Sequence, residues 1–306
     1  MTTYPIQMRR EPKPPLNFRF HGELDVKQLI DICIEVQRPK AEKAIAEELA
    51  RVEKAVDCPK ICINKPNNRP KICIRGLRTE NMPKYKVSIL GDSISTYIGF
   101  NPRGYAVYYK DDKAYDNEIN SVDDTWWKQV IDGLGGELCV NNSYSGSLVT
   151  GAFAPSACSV ERCSNLHDET APDIILIYMG TNDRGFEMNL GENCPDDTLG
   201  FYGAYRTMLK RIKNNYPTAK IVCGTLLMGR LQAGLNLAYD RFMKEDTRYN
   251  GAIRLAVKEE GCLLADIALA DERYETLDYC HPTKSGHKEM AKLWLAELKK
   301  LLTEEN

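Results

Sequence analysis

Tyr85-Lys86-Val87-Ser88-Ile89-Leu90-Gly91-Asp92-Ser93-Ile94-Ser95 is the stretch whose reading decides the fold. An apolar, strand-like run ends in Gly-Asp and hands a serine to the turn. Open α/β sheets form their binding crevices at the carboxyl ends of the strands, so a hydroxyl at this turn is where a nucleophile would sit. Gly-Asp-Ser is also an ordinary turn sequence in which Asp or Ser caps the next helix. The tripeptide alone leaves both readings open.

Three further segments bear on the choice. Leu138-Cys139-Val140-Asn141-Asn142-Ser143-Tyr144-Ser145-Gly146 reads as a strand leading into a Ser-Gly turn. Asp173-Ile174-Ile175-Leu176-Ile177-Tyr178-Met179 is a second apolar strand, emptying into Gly180-Thr181-Asn182-Asp183. Asp278-Tyr279-Cys280-His281-Pro282 puts a carboxylate three residues before a histidine, just ahead of an amphipathic C-terminal stretch. In content and order these segments resemble the four signature blocks of the SGNH/GDSL hydrolase family, from Lys84 to near the C-terminus. The resemblance implies that Ser93 is the nucleophile, His281 its base and Asp278 the group that orients the base. It further implies an oxyanion hole made by the N–H groups of Ser93 and Gly146 and the side-chain amide of Asn182. The first block reads Gly-Asp-Ser-Ile where the family name implies Leu, one apolar residue for another.

The same roles follow from chemistry. A serine hydroxyl is too weakly acidic to attack an ester at neutral pH without an imidazole in hydrogen-bond reach and a carboxylate holding that ring in the right tautomer. The tetrahedral intermediate then needs donors aimed at its oxygen, and a glycine lets backbone approach the reacting carbonyl with no Cβ in the way. This chemistry calls for no metal ion and no cofactor. Of the four histidines, His21, His167, His281 and His287, only His281 has a carboxylate at this offset in a pre-helical loop. Asn182 followed by Asp183 also reads as a helix N-cap.

Composition sets the frame. The 306 residues carry 43% hydrophobic content and a net charge of −2, which fits a globular chain and gives no electrostatic reason to expect nucleic acid. No apolar run approaches the roughly 20 residues of a membrane span. The start, Met1-Thr2-Thr3-Tyr4-Pro5, lacks the apolar core of a secretory signal, so a cytoplasmic location is expected. Eleven cysteines, an odd number with no Cys-x-x-Cys pair, read as small buried apolar residues. Cys33, Cys58, Cys62 and Cys73 match no common zinc spacing, and Cys158 and Cys163 are expected to stay unpaired in a reducing compartment.

From Lys84 onward strands and helices alternate. Strands are expected at 86–90, 137–141, 173–179, 220–226 and 262–267, and helices at 123–134, 198–215, 236–260 and 285–302. The alternation predicts an α/β fold, a parallel sheet covered by helices on both faces. The resemblance implies the flavodoxin-like three-layer α/β/α arrangement with five parallel strands, the first and third adjacent. Ser93 and Asn182 then meet at the switch point.

Residues 1–82 read as a small N-terminal α+β module outside the resemblance, and 83–306 as the catalytic domain. A strand pattern at 29–36, a helical pattern at 39–56 and a duplicated Pro-Lys-Ile-Cys-Ile, at 59–63 and 70–74, support the module. It has 16 basic and 11 acidic residues, net +5, and the remainder of the chain is at −7. The opposite signs suit docking on its own or a neighbouring catalytic domain, giving a homo-oligomer, and equally suit a solvated surface.

Tyr97, Phe100, Tyr105, Tyr108, Tyr109 and Tyr115 lie in the loop after Ser93, where they either line a cleft, Tyr97 and Tyr105 foremost, or pack the loop down. Trp126 and Trp127 are adjacent on a helix, so at most one is expected to face the core squarely. Arg184 is a candidate for an anionic substrate group, the simpler expectation being a pair with a loop carboxylate. The function expected is a serine esterase acting on a small-molecule ester, with short acyl groups and acetyl-carbohydrate in view. Lysophospholipase or thioesterase action and a non-catalytic binding or scaffolding role are the alternatives.

Overall fold

The computed structural model describes residues 85–110, 119–151, 155–191, 197–238 and 241–303. The N-terminal module, the cysteines at 33, 58, 62 and 73, and Tyr115 lie outside the described residues. In chain order the main elements are β1 (Lys86–Gly91), α1 (Trp126–Gly133), β2 (Glu137–Ser143), α2 (Val160–Ser164), β3 (Ile174–Tyr178), α3 (Thr181–Gly185), α4 (Phe201–Asn215), β4 (Lys220–Gly224), β5 (Met228–Leu231), α5 (Arg248–Glu259), β6 (Leu263–Ala265), β7 (Arg273–Thr276) and α6 (Lys284–Thr303).

Five strands form one parallel sheet in the order β2-β1-β3-β4-β6. This is the three-layer α/β/α fold expected from the alternation. β3 is buried at every residue, which is why it reads as an unbroken apolar run rather than an alternating one. Helices α1 and α6 pack together over one face, and α4 packs with α2 and α5 over the other. Register decides function here. Gly91 pairs with Ser143 on one side and Tyr178 on the other, so β1, β2 and β3 end at one level and their following turns emerge together.

The structure departs from expectation in three places. The helix expected over 236–260 is confined to α5. Asp246 accepts the Arg248 N–H and starts that helix late, while Phe242 packs against Gly185, where a Cβ would meet its ring at 2.5 Å. Second, β5 and β7 pair in parallel as a separate two-stranded sheet that the sequence did not reveal. Third, both tryptophans of α1 are fully buried. Trp126 stacks on Trp294 of α6, centroids 5.1 Å apart, while Trp127 turns toward Phe100 of the loop after Ser93. That loop folds over the helix and supplies a second buried side. No helix among the described residues is long and apolar enough to cross a membrane.

α1 starts at a buried histidine. The Thr125 hydroxyl accepts the Lys128 N–H, and His287 Nδ1 accepts the Trp126 N–H at 3.1 Å, so two of the orphan donors of the first turn are satisfied. Burial pulls His287 down to about 3, against the opposing charge of Asp124, so its ring is neutral in the fold. Unfolded, it protonates near pH 6.5. As pH falls below about 6.5, the native protein should therefore lose about 1.4 kcal/mol per pH unit relative to His287→Asn, which keeps an acceptor but no titrating ring. The variant is the reference because buried Asp92 and Asp183 titrate over the same interval with the opposite sign. Urea midpoints of both proteins from pH 7 to 4 check this, and parallel curves would refute it.

Candidate active site

β1 delivers Ser93 through a turn closed by its own neighbours. Asp92 caps the short 3-10 turn Ser93–Ser95 by accepting the Ile94 N–H at 3.0 Å. Gly91 has no room for a side chain, since a Cβ would meet Ser95 at 2.5 Å and the Ser143 hydroxyl at 2.8 Å. The Ser93 carbonyl accepts both the N–H and the hydroxyl of Thr96. Ser93 itself is 4% exposed.

His281 reaches Ser93 from 188 residues away. Its Nε2 is 2.9 Å from Ser93 Oγ and its Nδ1 is 2.6 Å from Asp278 Oδ2. The other Asp278 oxygen accepts the N–H groups of His281 and Cys280 at 2.7 and 3.1 Å. Burial works to raise the Asp278 carboxyl, but the His281 ring and these N–H groups outweigh it and hold the carboxyl below its ordinary range. It stays ionised, which places the imidazole proton on Nδ1 and leaves Nε2 to accept from the serine hydroxyl.

The small β5/β7 sheet fixes this loop. Glu289 of α6 accepts the Glu275 N–H at 2.8 Å and takes a two-pronged contact from Arg230. The Thr276 hydroxyl donates to the Arg230 carbonyl and accepts the Tyr279 N–H. Tyr274 donates its hydroxyl to the Cys280 carbonyl, and the Leu277 N–H closes the turn onto the His281 carbonyl.

Gly146 lies in the turn after β2 at φ +80°, a conformation glycine adopts without strain. Asn182 is buried in the first turn of α3. Its Nδ2 donates to the Ser147 carbonyl at 3.0 Å, which commits one of its two hydrogens. The helix cap is Gly180, in the left-handed region, so Asn182 is not the N-cap that its position also suggested. Asp183 accepts the Val149 and Thr150 N–H groups and pins the same loop from beneath; burial pushes its carboxyl up to about 6, these bonds notwithstanding. Burial likewise pushes Asp92 up to about 6, against the Ile94 N–H and the charge of His281.

Tyr97 is buried in the core, and Tyr105 is half-buried with its ring against the edge of Tyr144. Arg184 is buried and donates to the Leu227 carbonyl at 3.4 Å, with no carboxylate within ion-pair distance among the described residues, so the expected loop pair is absent. Two residues stand out beyond the nominated set: Tyr108, read only as one of the loop aromatics, and Arg162, which the sequence did not mark. Tyr108 lies flat against His281, with ring centroids 3.5 Å apart and planes 4° from parallel. Arg162 is fully buried and donates to Ser147 Oγ, the Asn142 side-chain oxygen and the carbonyls of Gly91, Asn142 and Pro155. A basic residue inside the short helix α2 carried no motif; only the burial of its neighbours in three dimensions marks it.

Arg162 thus ties the end of β1 to the loop after β2. Arg162→Met would take the donor from the Ser147 hydroxyl, the Asn142 side-chain oxygen and the Pro155 carbonyl, while the Gly91 carbonyl keeps the Tyr144 N–H, at about 1–3 kcal/mol for each buried group left unpaired. A total loss of at least about 3 kcal/mol in urea unfolding is expected, and a loss under about 1 kcal/mol would contradict the clamp.

The model of the family described as GDSL-like lipase/acylhydrolase matches residues 85–238. No curated protein matches the chain. Among solved structures, one named as a GDSL-like lipase from Bacteroides uniformis is 25% identical, with a TM-score of 0.56, covering 71% of this chain and 96% of its own. A second so named, from Bacteroides ovatus, is 24% identical with a TM-score of 0.55, covering 71% of this chain and 98% of its own. The ladder that aligns three strand ends, the serine turn at the first of them and the family match over half the sequence converge: the chain belongs to the GDSL-like lipase/acylhydrolase family.

Proposed function

We propose that the protein is a serine esterase that removes short acyl groups, acetyl on carbohydrate among them, through a covalent acyl-enzyme. The observation that carries this reading is the continuous hydrogen-bonded chain from Ser93 Oγ through His281 to Asp278. Ser93 Oγ attacks the ester carbonyl as His281 Nε2 takes its proton, and Asp278 stabilises the imidazolium that forms. The oxyanion accepts the second hydrogen of Asn182 Nδ2 and the N–H groups of Ser93 and Gly146, which donate to nothing else among the described residues. Collapse breaks the bond to the leaving alcohol, which departs with the proton held by His281. Water, deprotonated by the same imidazole, then attacks the acyl-enzyme, and collapse frees the acid and returns the proton to Ser93.

Short acyl groups are favoured because the loop after Ser93 mixes polar and aromatic residues and presents no long apolar run for a lipid tail. In this reading residues 83–306 form the catalytic domain, and 1–82 a separate α+β module that serves either assembly or the shaping of the cleft.

Ser93→Ala should lower turnover of a short-chain aryl ester by several orders of magnitude with the fold intact. A fluorophosphonate probe should label Ser93 alone, and undiminished activity in a pure variant would end the reading. An acyl-chain series on such esters should peak at two to four carbons, about the size of acetyl to butyryl; a peak at long chains would favour the lysophospholipase alternative. Asn182→Ala should cut kcat roughly a hundredfold or more with KM little changed, and a change in KM alone would make Asn182 a substrate-binding group.

A further inference from the structure

Tyr108 is held against His281 by two anchors. Its N–H donates to Thr96 Oγ1 at 2.9 Å, and that same hydroxyl donates to the Ser93 carbonyl, so the tyrosine backbone is registered on the serine turn. The neighbouring Tyr109 hydroxyl donates to the Pro282 carbonyl at 2.9 Å, registering the loop on the histidine segment. Between these anchors the Tyr108 ring covers one face of the imidazole at 3.5 Å, nearly parallel.

Both edges of the imidazole are already used, Nδ1 by Asp278 and Nε2 by Ser93. When the ring becomes positively charged, water cannot reach the covered face. What that face meets is the negative face of an aromatic quadrupole, which attracts a cation within about 6 Å of the ring centroid. We propose that Tyr108 is a positioning residue that holds the His281 ring in plane and stabilises its charged form through the face of the tyrosine ring. The proposal rests on the reading of His281 as general base. The other titratable groups near the imidazole are Asp278 at Nδ1, Asp92 below the serine turn and His287 on α6. None of them changes in the experiment below.

The test replaces Tyr108 in the full-length protein by Phe and by phenylalanines carrying one to five ring fluorines. These keep the size of the ring while draining its quadrupole. Tyr108→Leu covers the same face with no π system. Three readouts are taken: kcat and KM on a short-chain aryl ester, the acid limb of kcat/KM, and the His281 imidazole titration by NMR. Phe should match the native protein within about twofold. Along the fluorine series kcat should fall stepwise, reaching about three- to thirtyfold in the most fluorinated ring and in Leu, with KM held. The acid limb and the NMR titration should both move to lower pH, because removing stabilisation of the cation disfavours protonation. A flat series overturns the proposal, and so does a full loss already at Phe, which would assign the effect to the hydroxyl. If the native protein neither turns over ester nor takes up fluorophosphonate at Ser93, the esterase reading fails; the NMR titration still decides whether the ring stabilises the charged imidazole.

Discussion

The level at which three neighbouring strands stop is the constraint on which the rest depends. Gly91 is paired at once with Ser143 and Tyr178, so the chain leaves β1, β2 and β3 along one edge. Whatever follows those strands is juxtaposed whether or not it interacts. Ser93, Gly146 and Asn182 are those followers. Side-chain chemistry then locks the arrangement: Asn182 and Asp183 bond to the loop after β2, and Arg162 bonds that loop's Ser147 together with the Gly91 carbonyl. Backbone hydrogen bonding sets the meeting point, and buried polar groups make it rigid.

His281 and Asp278 come by a different route. They leave the small β5/β7 sheet and are steadied by Glu289 of the last helix, with no ladder to the main sheet. This half of the site depends on side-chain contacts with the loop after Ser93, above all Tyr108 and Tyr109. The two halves therefore rest on different kinds of bond, cooperative ladder on one side and individual contacts on the other.

Much of the first half was legible in the sequence, because a parallel strand buried on both faces reads as a near-continuous apolar run: 174–179 is one, and 87–90 is broken only by Ser88, whose hydroxyl donates to the Leu166 carbonyl. The glycines and polar residues after them mark where the crevice opens. The second half was legible only as a motif. Met228-Gly229-Arg230-Leu231 and Arg273-Tyr274-Glu275-Thr276 are four residues each and carry charge, and the alternation of Arg273 and Glu275 with buried Tyr274 and Thr276 is too short to mark a strand. The burial of both Trp126 and Trp127 escaped for a related reason. Adjacency on one helix argues against it unless a distant loop covers the second side, and here Phe100 does so. Stacking, as between Tyr108 and His281, has no sequence period at all.

The segment from Ile98 to Tyr109 carries a consequence beyond packing. Its Ala106 carbonyl accepts the Ser145 N–H beside Gly146, its Tyr108 ring rests on His281, and its own ends are tied by the Ile98 N–H to the Tyr109 carbonyl. One short stretch thus spans both sides of the reaction centre like a strap across a hinge. In the proposed reaction, a change in how this stretch seats would reach the oxyanion side through Ala106 and the imidazole side through Tyr108 together, while the sheet beneath remains as it was.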